Sequence, residues 1–175
     1  MELESDEEIY LGSFLEGDFK IIHNWQNSII DARLTMGYRF PVSDITSKKW
    51  LKERLKKLEK FPEKIYWAIR IRRDERLIGF VTLFNIDYLN KNAEIGIYLA
   101  SDRSKGFGKS SLKKCFEIGF NDLNLHKIYA KVVSDNIFAT SAFTAIGFKE
   151  EAILVEQFWD GKHWASIKVL SIFQP

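Results

Sequence analysis

Apolar and polar positions along this chain alternate with the period of strands, interrupted by stretches where apolar residues recur every three or four positions. Ile9 to Phe14 reads as a short first strand after a frayed acidic tail, residues 1–7. Gly17-Asp18 then opens a helix that lines up Phe19, Ile22, Trp25 and Ile29. Asp31 to Ser47 has no periodicity and reads as a loop carrying Tyr38. Asp44 or Thr46 can cap the next helix, whose Leu51, Leu55 and Leu58 form a stripe, and Pro62 marks its end. Ile65 to Ile71 and Leu77 to Phe84 flank the charged turn Arg72 to Arg76 and predict an antiparallel hairpin buried on much of both faces. Glu94 to Ala100 and Lys127 to Val133 are further strand-like runs, and Asp160-Gly161 is a hairpin turn between the last two strands.

The most informative stretch runs from Glu94 to Phe148. The strand at Glu94 is followed by the polar turn Ser101 to Lys105, by Gly106 and Gly108, and then by Leu112, Cys115, Phe116, Gly119 and Leu123 at helical spacing. A strand, a glycine turn and a helix start direct free backbone N–H groups and a positive dipole end to one point, which suits a pyrophosphate. The turn lacks the third glycine of a dinucleotide fingerprint and the Gly-Lys-Ser/Thr ending of a P-loop, so neither nucleotide motif fits.

Arg103-x-x-Gly106-x-Gly108 resembles the coenzyme A signature of the GCN5-related N-acetyltransferases, Gln/Arg-x-x-Gly-x-Gly/Ala. Asn136-x-x-Ala139-x-x-x-Phe143-x-x-x-Gly147-Phe148 resembles that family's second motif, in the expected order and separated by the expected helix and strand. The resemblance spans roughly residues 8 to 173, and is nearest to the branch with ribosomal-protein N-terminal, spermidine and amino-sugar acetyltransferases. It implies a single domain over 1–175, α/β in class: a mixed, mostly antiparallel sheet of about seven strands flanked by helices.

The resemblance further implies that acetyl-CoA enters where the strands at Glu94 and Lys127 splay apart, with the backbone of Leu99 bonding the pantetheine arm like an added strand. Arg103, Lys105, Gly106, Phe107, Gly108, Lys109, Ser110 and Asn136 are the remaining expected contacts to coenzyme A. Acyl transfer to an amine needs a neutral amine, a polarised thioester carbonyl and a thiolate that can leave. Glu94, a carboxylate inside an apolar strand, is the acid/base candidate, with an ion-paired or acceptor-orienting carboxylate as the alternative. The family's usual general acid is a tyrosine at the place held here by Phe143. Tyr98, Thr140 and Thr144 are the other hydroxyls within reach, and a thiol of pKa about 8.5 can also leave without an acid. The acceptor is open. Glu94, Asp31, Asp44 and Asp87 could converge on a polyamine, whereas Trp25, Asn24, Asn27 and Tyr38 suit a sugar, and a protein N-terminus would need an open groove. A non-catalytic acyl-CoA-binding module of the same fold is the rival function, which Phe143 would permit.

Composition changes this picture little. The 175 residues are 46% apolar and 29% charged, an ordinary balance for one globular domain. A net charge of +2 argues against a nucleic-acid partner, although seven basic residues stand against two acidic ones between Lys48 and Lys60. The single cysteine, Cys115, excludes an intrachain disulfide and falls on an apolar helix face. His23 has no second ligand at metal spacing, so no metal is expected. The acidic start lacks the basic region and apolar core of a signal peptide, and no apolar run approaches the ~18 residues of a membrane span. A cytoplasmic enzyme is expected, acting on acetyl-CoA and an amine, with a homodimer allowed.

Overall fold

The computed structural model describes residues 8–28, 40–56, 60–103 and 105–175. Strands β1 (Ile9–Gly12), β2 (Lys64–Ile71), β3 (Leu77–Asp87), β4 (Asn92–Leu99), β5 (Lys127–Val133), β6 (Lys149–Trp159) and β7 (Trp164–Phe173) form one seven-stranded sheet in the order β1-β2-β3-β4-β5-β7-β6. Every neighbouring pair is antiparallel except β4 and β5. The mixed sheet expected from the sequence is therefore present. Among the described residues the helices are α1 (Phe19–Gln26), α2 (Asp44–Leu55), α3 (Phe107–Asn121) and α4 (Ile137–Thr144).

Strand alternation sorts β4 between two cores. Ile95, Ile97 and Leu99 join Val81 and Leu83 in the larger one, which α3 closes with Phe107, Leu112, Cys115 and Phe120 and α4 with Phe143. The opposite face carries Glu94, Gly96 and Tyr98, and its smaller core takes Ile22 from α1 and Leu51 from α2. No bulge interrupts β4 from Glu94 to Leu99 against β3, so the predicted alignment of Glu94 with Gly96 and Tyr98 holds.

Several boundaries differ from expectation, each for a tertiary reason. The first strand stops at Gly12, because Phe14 turns into the smaller core against Trp50 at 5.4 Å. Ser43, rather than Asp44 or Thr46, caps α2, its Oγ accepting from the Thr46 N–H at 3.3 Å. Leu55 is exposed and closes α2, well before Pro62. Its place in the packing is taken by Trp50 and by the Arg54 guanidinium, 3.8 Å above the Trp50 ring. Ile29, Asp31, Tyr38 and Leu58 lie outside the described residues. The start of α1 is fixed by a buried ion pair, Arg70 Nη2 to Asp18 Oδ2 at 2.5 Å. Asp18 also accepts from the Leu15 N–H at 2.8 Å, so both charges are hydrogen-bonded as burial demands.

Candidate active site

The ladder between β4 and β5 holds only for Asn92–Lys127, Ala93–Ile128 and Glu94–Tyr129. Beyond Glu94 the strands part, since β4 continues to Leu99 along β3 while β5 continues to Val133 along β7. The Ala100 N–H donates to the Ile78 carbonyl on the β3 side at 2.9 Å. By antiparallel alternation, the backbone groups of Leu99 therefore point the other way, into the split. Its carbonyl accepts from Arg103 Nε at 2.7 Å, which leaves the N–H as the group able to bond a pantetheine amide.

The glycine turn closes the wide end of the split. Gly106 is the N-cap of α3 with φ 81°, a left-handed conformation that favours glycine. The helix begins at Phe107, so Gly108 sits inside its first turn rather than before it. A Cβ on Gly108 would lie 3.2 Å from Leu99 Cδ1, tight enough to crowd the strand beside the split. Phe107 and Ser110 are buried and anchor the turn from beneath. The first-turn N–H groups have no intrahelical acceptor and remain available to an anion.

Charged side chains brace this turn. Asp102, at φ 57°, accepts from Lys105 Nζ at 2.8 Å, Arg76 Nη1 at 3.0 Å and Ser101 Oγ at 2.9 Å. Those donors, Lys105 foremost, hold its carboxyl well below the usual carboxylate range. Lys105 is thus tied into the turn as well as placed beside it, and Lys109 is exposed. Arg72, Arg73, Arg76 and Lys105 line a cavity of about 420 Å³ next to the glycine turn, with Glu8 and Phe107. The sequence marked residues 72–76 only as a hairpin turn, because a charged turn carries no signal of what folds beside it.

At the apex of the split stands Glu94, almost fully buried. Its Oε2 accepts from Lys131 Nζ and from Asn85 Nδ2, both at 3.3 Å. Glu94 is therefore ion-paired, the alternative left open above. Tyr129, its register partner, completes the cluster; burial first, then the Glu94 charge, pushes its phenol up. Asn85, Tyr129 and Lys131 were not among the expected site residues: Asn85 sits at φ 52° where the β3–β4 register is irregular, and Lys131 is 37 positions from Glu94. Tyr98 packs against Trp25 at 5.3 Å and Phe80 at 5.6 Å on the same face as Glu94.

Other expected residues are engaged elsewhere. The Asn27 amide donates to the Val42 carbonyl at 3.1 Å and accepts from the Val42 N–H at 2.9 Å, tying the end of α1 to the segment before α2. That use is structural, and nothing in the spacing of residues along the chain signalled it. Asn136 caps α4 through the Ala139 N–H at 3.1 Å. Phe143 is buried edge-on against Phe148 at 5.0 Å. Thr140 and Thr144 donate their hydroxyls back to the carbonyls of Asn136 and Thr140, along their own helix. Of the other carboxylates named for a polyamine, Asp44 pairs with His23 at 3.3 Å and Asp87 caps its own turn at Asn90, while Asp31 lies outside the described residues. Ser47, His23 and Asp44 lie in a row, His23 Nδ1 2.9 Å from Ser47 Oγ, but Ser47 is fully buried and the trio joins α1 to α2.

The profile of the acetyltransferase (GNAT) domain family matches residues 9–149, most of the chain. The chain belongs to the GNAT acetyltransferase family. Spermidine N(1)-acetyltransferase of Vibrio cholerae is 29% identical over 177 aligned residues, covering 95% of this chain and 94% of that protein. The Escherichia coli K12 spermidine N(1)-acetyltransferase is 28% identical over 102 residues, 58% of this chain and 55% of its own. The crystal structure of the Vibrio cholerae enzyme in complex with CoA and spermine superposes with a TM-score of 0.85 at 26% identity, covering 96% of both chains. As a GNAT enzyme the protein is an acetyl-CoA-dependent N-acetyltransferase, and the split between β4 and β5 with its glycine turn fits the donor.

Proposed function

We propose that the acceptor is a polyamine, acetylated on a primary amine, and that Glu94 is the group that receives the amine's proton. The observation that carries this reading is the buried Glu94 carboxylate at the apex of the split, already bonded to an ammonium. End-to-end similarity to a spermidine acetyltransferase supports the same acceptor class. In this reading the first-turn N–H groups of α3 hold the pyrophosphate, and the basic cavity at Arg72 and Arg73 receives the phosphate-bearing end of the donor. The Leu99 N–H orients the pantetheine arm. Glu94 takes a proton from the acceptor ammonium, the freed amine attacks the thioester carbonyl, and the C–S bond breaks as the amide forms. The thiolate leaves without a protein phenol and takes its proton from solvent.

The test is release of the CoA thiol over a panel of spermidine, spermine, an aminoglycoside and an N-terminal peptide. Turnover is expected on the polyamines first. Glu94→Gln is expected to keep acetyl-CoA affinity and lower kcat by about ten- to a thousandfold. Wild-type turnover in that variant between pH 6 and 9 would remove Glu94 from the chemistry. Turnover on the aminoglycoside or peptide alone would remove the polyamine.

We also propose that the protein assembles from copies of itself. A dodecameric structure of the Vibrio cholerae enzyme, with a TM-score of 0.77 at 27% identity, supports this. So does the edge strand β6, which leaves Ile153, Val155 and Trp159 exposed.

A further inference from the structure

Had the β4–β5 ladder continued past Glu94–Tyr129, Lys131 would lie opposite Gly96. Instead the strands part there, and the Lys131 side chain reaches back across the opening to Glu94 Oε2 at 3.3 Å. The two ends of this bridge are unlike. Glu94 is buried and further fixed by Asn85, whereas the Lys131 side chain is 38% exposed, stands on a flexible four-carbon stem and passes 5.8 Å from the Tyr129 ring. A fixed carboxylate thus holds a movable primary ammonium at the apex of the cleft where the chemistry is expected. A primary ammonium is also the chemical group of the acceptor.

We propose that Lys131 is a specificity-determining residue: an internal ammonium that occupies the acceptor's cation subsite beside Glu94 and must be displaced for the acceptor to bind. This rests on the assignment of Glu94 and a polyamine acceptor above. Displacement is a one-for-one exchange of ammonium groups on one carboxylate, so Glu94 keeps a counter-ion throughout. An acceptor with a single weakly held cation competes poorly with a tethered lysine. A polycation, with further charges to bind elsewhere, competes well. Lys131 therefore raises the acceptor KM and filters out simple monoamines.

The test is the acceptor KM of Lys131→Met and Lys131→Arg for spermidine and for a monoamine such as butylamine, together with inhibition by tetramethylammonium, a cation that cannot be acetylated. Removing the internal ammonium is expected to lower the spermidine KM and the tetramethylammonium Ki by about tenfold in Lys131→Met, with the acetyl-CoA KM unchanged. The butylamine KM is expected to fall further, and Lys131→Arg is expected to behave as wild type. A spermidine KM and a tetramethylammonium Ki that stay constant or rise in a folded Lys131→Met would overturn the proposal and leave Lys131 a structural partner of Glu94. Should Lys131→Met not fold, Lys131→Gln keeps the stem and a polar tip, and the same outcomes decide. A wild-type enzyme inactive on every polyamine would sink the acceptor assignment instead. Tetramethylammonium binding, read by calorimetry, would still decide the role of Lys131.

Discussion

Phe143 shows how a single residue departs from its family and what holds it there. The phenyl ring is 3% exposed and lies edge-on to Phe148 in the core that α3 and α4 share with the sheet. A hydroxyl added at its tip would enter this apolar packing, at a cost of about 1–3 kcal/mol if left without a partner. Phe143→Tyr is therefore expected to lower Tm by several degrees, at roughly 2–4 °C per kcal/mol for a chain of this size, with no gain in turnover. Differential scanning calorimetry and steady-state rates on one preparation check both halves. A faster enzyme of unchanged Tm would mean that the hydroxyl reaches the thiolate in the split. Cys115, buried on the same core, has its thiol pushed up by that burial and is expected to resist alkylation in the folded state.

The turn that leads from β4 into α3 depends on Asp102 as much as on its glycines. Asp102 ties Arg76 of the β2–β3 turn to Lys105 and Ser101 of the glycine turn, joining two segments that both border the basic cavity. Because its folded pKa is depressed, its stabilising contribution is full above the unfolded value near ~3.9 and is lost as pH falls toward the folded one. Asp102→Asn is accordingly expected to be less stable than wild type at pH 7, with the gap closing as pH is lowered below about 4. Urea midpoints at pH 7 and pH 3 measure this directly, and an equal gap at both would deny Asp102 its charge-dependent role. The variant's acetyl-CoA KM is expected to rise while its acceptor KM stays constant, since the turn borders the donor side of the cleft.

At the scale of the molecule, the sheet divides labour across its width. The β1–β3 half is covered by helices on both faces and pinned by the buried Arg70–Asp18 pair, whose disruption would strand one charge at a cost of about 3–5 kcal/mol. The β6 edge is exposed along most of its length, with Val155 three-quarters open to solvent and Trp159 packed on Trp164 at 5.4 Å. In the proposed assembly, an edge strand of that length with apolar side chains is the surface another copy would cover. Val155→Lys is expected to shift the sedimentation profile toward smaller species while leaving the monomer's far-UV circular dichroism intact. An unchanged assembly in that variant would move the contact away from β6.

No helix of the described residues is long and apolar enough to cross a membrane. What the sequence determined by itself was everything encoded in short-range signals. The runs at Ile65, Leu77, Glu94 and Lys127, the Asp160-Gly161 turn and the left-handed Gly106 before α3 all follow from the residues' own conformational preferences, and two spaced motifs were enough to identify the family. The tertiary structure decided whatever depends on which surfaces meet. Leu55 looked like core and is exposed because Trp50 and Arg54 fill its face; Asn27 looked like a ligand contact and serves the backbone of Val42. Glu94 could be recognised as a candidate carboxylate from its strand, but not its partner. The ion pair with Lys131 exists because two parallel strands part after three residue pairs, and a strand's alternation does not say where its ladder to a distant neighbour ends.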